Sequence, residues 1–229
     1  MAGSGGWTLR KASSAPRFVD RLVLQRRRRG ILDLTVHLAV DGRTSDRALG
    51  MLLPLAAAST SEGIRRDTGV VSWLHWPDLV TIEGRAVAKA TVSVGQRKAA
   101  ESRQVLMCIT VSCFPEKPVS TAPLPPASLL EVLGVEVDLD LLRNKVLHAV
   151  NWYHAAWESG LHSKLAERML PTIPWIGRKV EVAVDGAPAL RGVVKGLDSY
   201  CRLLLDQGPG QKGGLIAIPP AAEAVRVVD

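Results

Sequence analysis

Two asparagines, Asn144 and Asn151, and three cysteines, Cys108, Cys113 and Cys201, are all that the 229 residues contain of either type. The cysteines fit no metal-ligand spacing, which excludes a cysteine-held metal module. Their odd number, in a reducing compartment, reads as small buried hydrophobes. The scarcity of thermolabile amides fits a thermophilic source. Long apolar runs are missing as well. None reaches the roughly 18 residues a membrane-spanning helix needs, and residues 1–29 hold no apolar signal-peptide core. The expected location is therefore the cytoplasm. A Ser-His-Asp arrangement, a P-loop and a dinucleotide fingerprint are all absent. So are helix-turn-helix and zinc-finger signatures and the aromatic spacing of a single-strand binder.

What is present is a hydrophobic fraction of 47%, ample for a buried core and incompatible with wholesale disorder. The net charge is +7. Its excess gathers near the start, where Arg26, Arg27, Arg28 and Arg29 follow Arg10, Lys11, Arg17 and Arg21. Such a run is ordinarily a solvated loop; contact with an anion or a nucleic acid is the sharper alternative.

Residues 1–16 carry Gly, Ser and Pro without periodicity and read as a flexible tail; 18–24 read as a short strand. In 31–40, Leu32, Leu34, Val36, Leu38 and Val40 alternate, which predicts a half-buried strand. A helix is predicted over 44–66, capped at Thr44 or Ser45 and open to a kink at Pro54. Short strands follow at 70–74 and 79–82, then a return strand at 87–94 and another at 105–113. Five prolines make 115–128 an extended loop. Helices are predicted over 138–161 and 163–169, with Trp152 and Trp157 on different faces and His148, His154 and His162 at the surface. After Pro171 and Pro174 come five short strands, at 179–184, 190–197, 202–206, 215–218 and 224–228, between Gly-rich turns. That texture predicts a small barrel.

Five segments, in order, resemble the biotin–protein ligase family, and the resemblance covers about residues 30–229. His75-Trp76-Pro77-Asp78-Leu79 through Gly84-Arg85-Ala86-Val87-Ala88 is similar to the family's Lys-Trp-Pro-Asn-Asp segment and the (Arg/Lys)-Lys-(Leu/Ile)-Ala-Gly that follows it without a gap. Residues 30–40 resemble the Gly-Gly-Leu-Tyr-Leu-Ser strand, 105–114 the Gly-Ile-Gly-Leu-Asn-Val-Asn strand, and Ala127-Ser128-Leu129 the Ala-Thr-Ser-Leu loop. Residues 176–180 and 192–198 resemble the opening of the family's SH3-like module. The resemblance implies an α+β fold of compact archaeal type: a mixed sheet with helices, like a class II synthetase, over 17–175, and an SH3-like C-terminal barrel over 176–229.

It also implies what is missing. Joining a carboxylate to the α-phosphate of ATP brings two anions together and needs cations and phosphate-cradling backbone. The family's lysine is matched by Ala86, and its Asn-Asp pair by Asp78 and Leu79. Its strand glycines are matched by Cys108 and Thr110, and its first strand Asn by Ser112. Lys89 lies three places beyond Ala86 and, by alternation, on the opposite face. The family's Gly-Arg-Gly-Arg-rich closing loop has no counterpart before Gly30. These departures imply a ligase-like protein without adenylation, a binding or assembly protein with no cofactor. A second copy, a biotin-carrier protein or an active ligase is its expected partner. The alternative is a divergent ligase using biotin, ATP and magnesium, with Arg26–Arg29 and Lys89 as replacement cations.

Within the vestigial pocket, Trp76, Pro77, Arg85, Ala86, Ala88 and Ser112 are the candidate lining. Trp76 and Pro77 also admit a packing role, and Asp78 a turn or capping role in place of a phosphate- or metal-linked one. His75 reads as a polar surface residue. With the closing loop short, apolar surface is expected around Trp73 and Trp76, and with it a homodimer.

Overall fold

A computed structural model describes residues 27–28, 30–95, 102–115, 124–183, 188–208, 214–220 and 224–228. The tail at 1–16, the strand expected at 18–24, and Arg26 and Arg29 lie outside the described residues.

The alternating segment forms β2 (Ile31–Val40), with Leu32, Leu34, Val36, Leu38 and Val40 all buried. β1 (Arg27–Arg28) pairs with it on one side. The helix expected at 44–66 is two helices, α1 (Asp46–Gly50) and α2 (Leu52–Thr68). Ser45 caps α1 by accepting from Ala48 N at 3.2 Å. The break has a cause in Pro54, which lacks the N–H that would bond back to Gly50. β3 (Trp73–His75), β4 (Leu79–Ile82), β5 (Arg85–Val94) and β6 (Arg103–Ser112) complete a six-stranded sheet in the order β1-β2-β6-β5-β4-β3. Among the described residues all its ladders are antiparallel, and the parallel component of the expected mixed sheet is one bridge, Ala86 to Pro126.

α3 (Leu129–Leu133) is too short for periodicity to reveal, yet it carries a capping box: Ser128 Oγ accepts from Glu131 N, and Glu131 accepts from Ser128 N. α4 (Leu139–Glu158) starts at the Asp138 cap, and α5 (His162–Met169) leads through a 3-10 turn at Leu170–Thr172 to Trp175. α2 packs on one face of the sheet, against β5 and β6, and α4 packs on α2. Their approach requires Gly63: a Cβ there would stand 2.6 Å from Val146 Cγ2 and 2.7 Å from its Cα. Trp157 is buried and Trp152 exposed, as their spacing predicts. His154 is buried beside Glu158, not at the surface, because it follows Tyr153 into the α4 stripe that faces the core.

The C-terminal strands are β7 (Lys179–Ala183), β8 (Leu190–Leu197), β9 (Leu203–Asp206), β10 (Leu215–Ile218) and β11 (Ala224–Val227), ordered β10-β9-β8-β7-β11, all antiparallel. Among the described residues the edge strands β10 and β11 do not pair, so the ladder stays open where a closed barrel was expected. Pro219 and Pro220, without N–H donors, directly follow β10.

Candidate functional site

The stretch carrying the strongest sequence signal lies where the two sheets meet. Asp198 organises the turn after β8: its Oδ1 accepts from Tyr200 N and Arg202 N at 2.9 Å each. Cys201 is thereby held at a φ of 56°, its carbonyl presented to the first sheet. Trp76 Nε1 donates to that carbonyl at 3.0 Å, and the indole is 0% exposed. Pro77, joined to Trp76 by a cis peptide bond, is buried with it. His75 stands edge-on to Trp175, centroids 4.3 Å apart, and its Nε2 donates to Val225 O at 3.2 Å. Burial pushes its pKa down to about 4, the bond to Val225 opposing the shift. Trp76 and His75 thus tie the C-terminal sheet to the first one, which corrects the expectations of a surface histidine and of an uncovered Trp76. Trp73 remains 36% exposed. It lines a largely apolar cleft of about 430 Å³ with His75, Thr81, Trp175 and Val225.

The β4–β5 register changes the reading of the next residues. Leu79 pairs with Lys89 and Val80 with Ala88, but Thr81 pairs with Ala86 and Ile82 with Arg85. Val87 is the extra residue of a β-bulge, and an extra residue inverts the alternation beyond it. Thr81 shares a face with Leu79, so Ala86 shares a face with Lys89. Alternation alone predicts opposite faces for them, and the bulge overturns that expectation. Ala88 pairs with Val111 and joins the helix-side core, away from Ala86.

On the face away from the helices, a row runs across the sheet through Asp33, Thr110, Lys89 and Leu79. A second row holds Thr35, Cys108 and Thr91, with Thr35 Oγ1 3.8 Å from Cys108 Sγ. Lys89 Nζ lies 3.8 Å from Asp78 Oδ2. Burial raises the Asp78 pKa above the ordinary carboxylate range, with Lys89 opposing. Ser112 is buried opposite Ile31 at the end of the ladder.

Ala86 sits under the proline-rich segment. Its N donates to Pro125 O at 2.9 Å, its O accepts from Ala127 N at 2.8 Å, and its side chain is 0% exposed. Arg85 secures the same segment, its Nη2 reaching Pro126 O at 3.4 Å and Glu131 Oε1 at 3.3 Å. Among the described residues, no group of three or more His, Cys, Asp or Glu could hold a metal ion. Nor, among the described residues, is any helix long and apolar enough to cross a membrane.

A six-stranded antiparallel sheet backed by helices and followed by a small five-stranded sheet is the fold of the biotin protein ligases. No protein-family model and no curated protein matches the chain; solved structures do. The apo biotin protein ligase of Aquifex aeolicus superposes with a TM-score of 0.71 at 16% identity, over 87% of this chain and 83% of that one. The same enzyme with biotin and ATP gives 0.70, at 16% identity over 87% and 79%. A biotin protein ligase-like protein of unknown function from Silicibacter gives 0.63, at 15% identity over 83% and 79%. Identities this low define the fold.

Proposed function

We propose that this chain is a biotin–protein ligase-like protein that does not form an adenylate and acts by binding or assembly. The observation that carries the reading is Ala86. The resemblance puts the family's lysine there, and the position is occupied by a methyl group under Pro125–Ala127, with both backbone hydrogen bonds taken. The rest of the face agrees. β2, β5 and β6 contain no glycine, so side chains such as Thr35, Cys108 and Thr110 stand where a ligand would need close approach to backbone. The residues present do not fit the adenylation of biotin by ATP.

In this reading residues 17–175 form the ligase-like part and 176–229 the appended module, in a cytoplasmic protein. Its partner is a second copy, a biotin-carrier protein or an active ligase. Incubation with biotin and ATP should release no pyrophosphate above the ATP-alone background. Each absent charge contact in such a transition state costs about 10² to 10³ in rate. Biotin-dependent pyrophosphate release would overturn the reading.

A specific observation favours the alternative, a divergent ligase. The bulge brings Lys89 onto the face of Ala86, within about two strand positions or roughly 7 Å, and a carboxylate at Asp78 accompanies it. If pyrophosphate is released, Lys89→Met should abolish it.

A further inference from the structure

On the helix side of the first sheet, α5 reaches back to α2. Arg168 Nη2 donates to Glu62 Oε1 at 2.8 Å and Oε2 at 2.9 Å, and its Nε to Oε2 at 3.3 Å. Arg66, one turn along α2, pairs with the same carboxylate. The Glu62 side chain is 7% exposed. Burial works against its charge, but the Arg168 and Arg66 guanidiniums outweigh it and hold the pKa below the ordinary range. The Arg168 guanidinium also stacks on Trp152, 4.4 Å from the ring centroid, and lies 5.9 Å from that of Tyr153. Packing and hydrogen bonds therefore lock it in place.

Beside this network opens a cleft of about 360 Å³ whose lining includes Arg65, Arg168, Tyr153, Trp73, Val71 and Pro171. That volume lies within the usual range for small-molecule sites, about 300–1,000 Å³. Arg65 is exposed and has no ion-pair partner among the described residues. Two guanidiniums, Arg65 and Arg168, and the carboxylate of Glu62 thus line a half-enclosed space, and Arg66 pairs with Glu62 from beside it. Glu62 neutralises Arg168, whereas Arg65 brings to the cleft a charge that no described residue pairs. The excess positive field selects an anion, and the Trp73, Val71 and Pro171 walls select a flat apolar body.

We propose that this cleft binds a small organic anion, a carboxylate between Arg65 and Arg168 whose planar apolar part lies against Trp73. The site is separate from the Ala86–Lys89 face and does not depend on the function proposed for it.

The test is titration calorimetry of the full chain with 2-naphthoate, with 2-naphthalenemethanol as the uncharged analogue. Saturable binding of the carboxylate, absent for the alcohol, is expected. Arg65→Glu and Arg65→Gln change an exposed side chain, so the fold should survive, as circular dichroism can verify. Each should weaken binding by about tenfold or more, the worth of one charge-assisted hydrogen bond. Trp73→Ala should weaken it too, whereas Lys89→Glu should leave it unchanged. No saturable binding at millimolar naphthoate, equal binding of the alcohol, or indifference to both Arg65 variants would overturn the proposal. Loss on Lys89→Glu would move the probe to the other face and overturn it as well.

Discussion

The outer side of the first sheet meets two different fates. Toward β3 it lies against the C-terminal sheet, with His75 edge-on to Trp175 and Trp76 bonded to Cys201 O. Toward β5, β6 and β2 it carries short polar side chains and the half-exposed pair Lys89–Asp78. The aromatic end joins the two sheets, whereas the polar end makes a single partly exposed ion pair that should contribute little to stability. Substitutions at the two ends should therefore differ by several kcal/mol.

The largest effect is expected at Trp76. Trp76→Ala removes a fully buried indole and leaves Cys201 O without its donor, a loss of about 4 kcal/mol, measurable by urea denaturation. A loss under about 1 kcal/mol would mean that the indole lines an empty pocket and does not tie the sheets together.

His75 comes next. Its folded-state pKa, about 4, is depressed from the ordinary value of about 6.5. The unfolded chain therefore takes up the proton first as pH falls. The stability associated with neutral His75 is intact above about pH 6.5 and is lost progressively down to about pH 4, amounting to about 3 kcal/mol at most. Denaturation midpoints measured between these values should show the slope in the parent protein, and His75→Phe should flatten it.

The helix side of the sheet provides the yardstick. Gly63→Ala forces α2 away from Val146 and should cost about 2 kcal/mol, detectable as a lowered midpoint with unchanged denaturant slope. The smallest effect belongs to Lys89→Met, which breaks a partly exposed pair and should cost no more than about 0.5 kcal/mol. A cost near that of Trp76→Ala would erase the contrast between the two ends.

The elements were legible in the sequence where local rules decide them. Alternation marks β2, Thr44 and Ser45 mark the start of a helix, and Gly-rich punctuation marks the five C-terminal strands, because period and cap are properties of neighbouring residues. A kink was legible at Pro54, and the break it causes falls three residues earlier, at Met51. What escaped was set by distant parts of the chain. Nothing in the sequence around Ala86 announces that Val87 is an extra residue, because a bulge exists only relative to its partner strand, here β4. Trp76 read as lining or packing with equal ease until Cys201, 125 residues on, supplied its acceptor. Glu62 and Arg168 are 106 residues apart, and neither stood out: one glutamate in a helix and one arginine in another look solvated until both helices are placed. The site fared worse than the fold for the same reason, since a site is an agreement among remote positions.

The bonds around Ala86 bear on how this chain can vary. Its N–H and C=O are both held by Pro125 and Ala127, so position 86 and the segment some forty residues downstream form one unit of change. A longer side chain at 86 must displace that segment, and moving the segment alone would strand two backbone groups and loosen the Arg85–Glu131 contact. Single substitutions at either place should be poorly tolerated, while paired ones can be accepted. Position 86 is therefore expected to show strong epistasis with 124–128, and libraries that randomise one without the other will underestimate what the face can become.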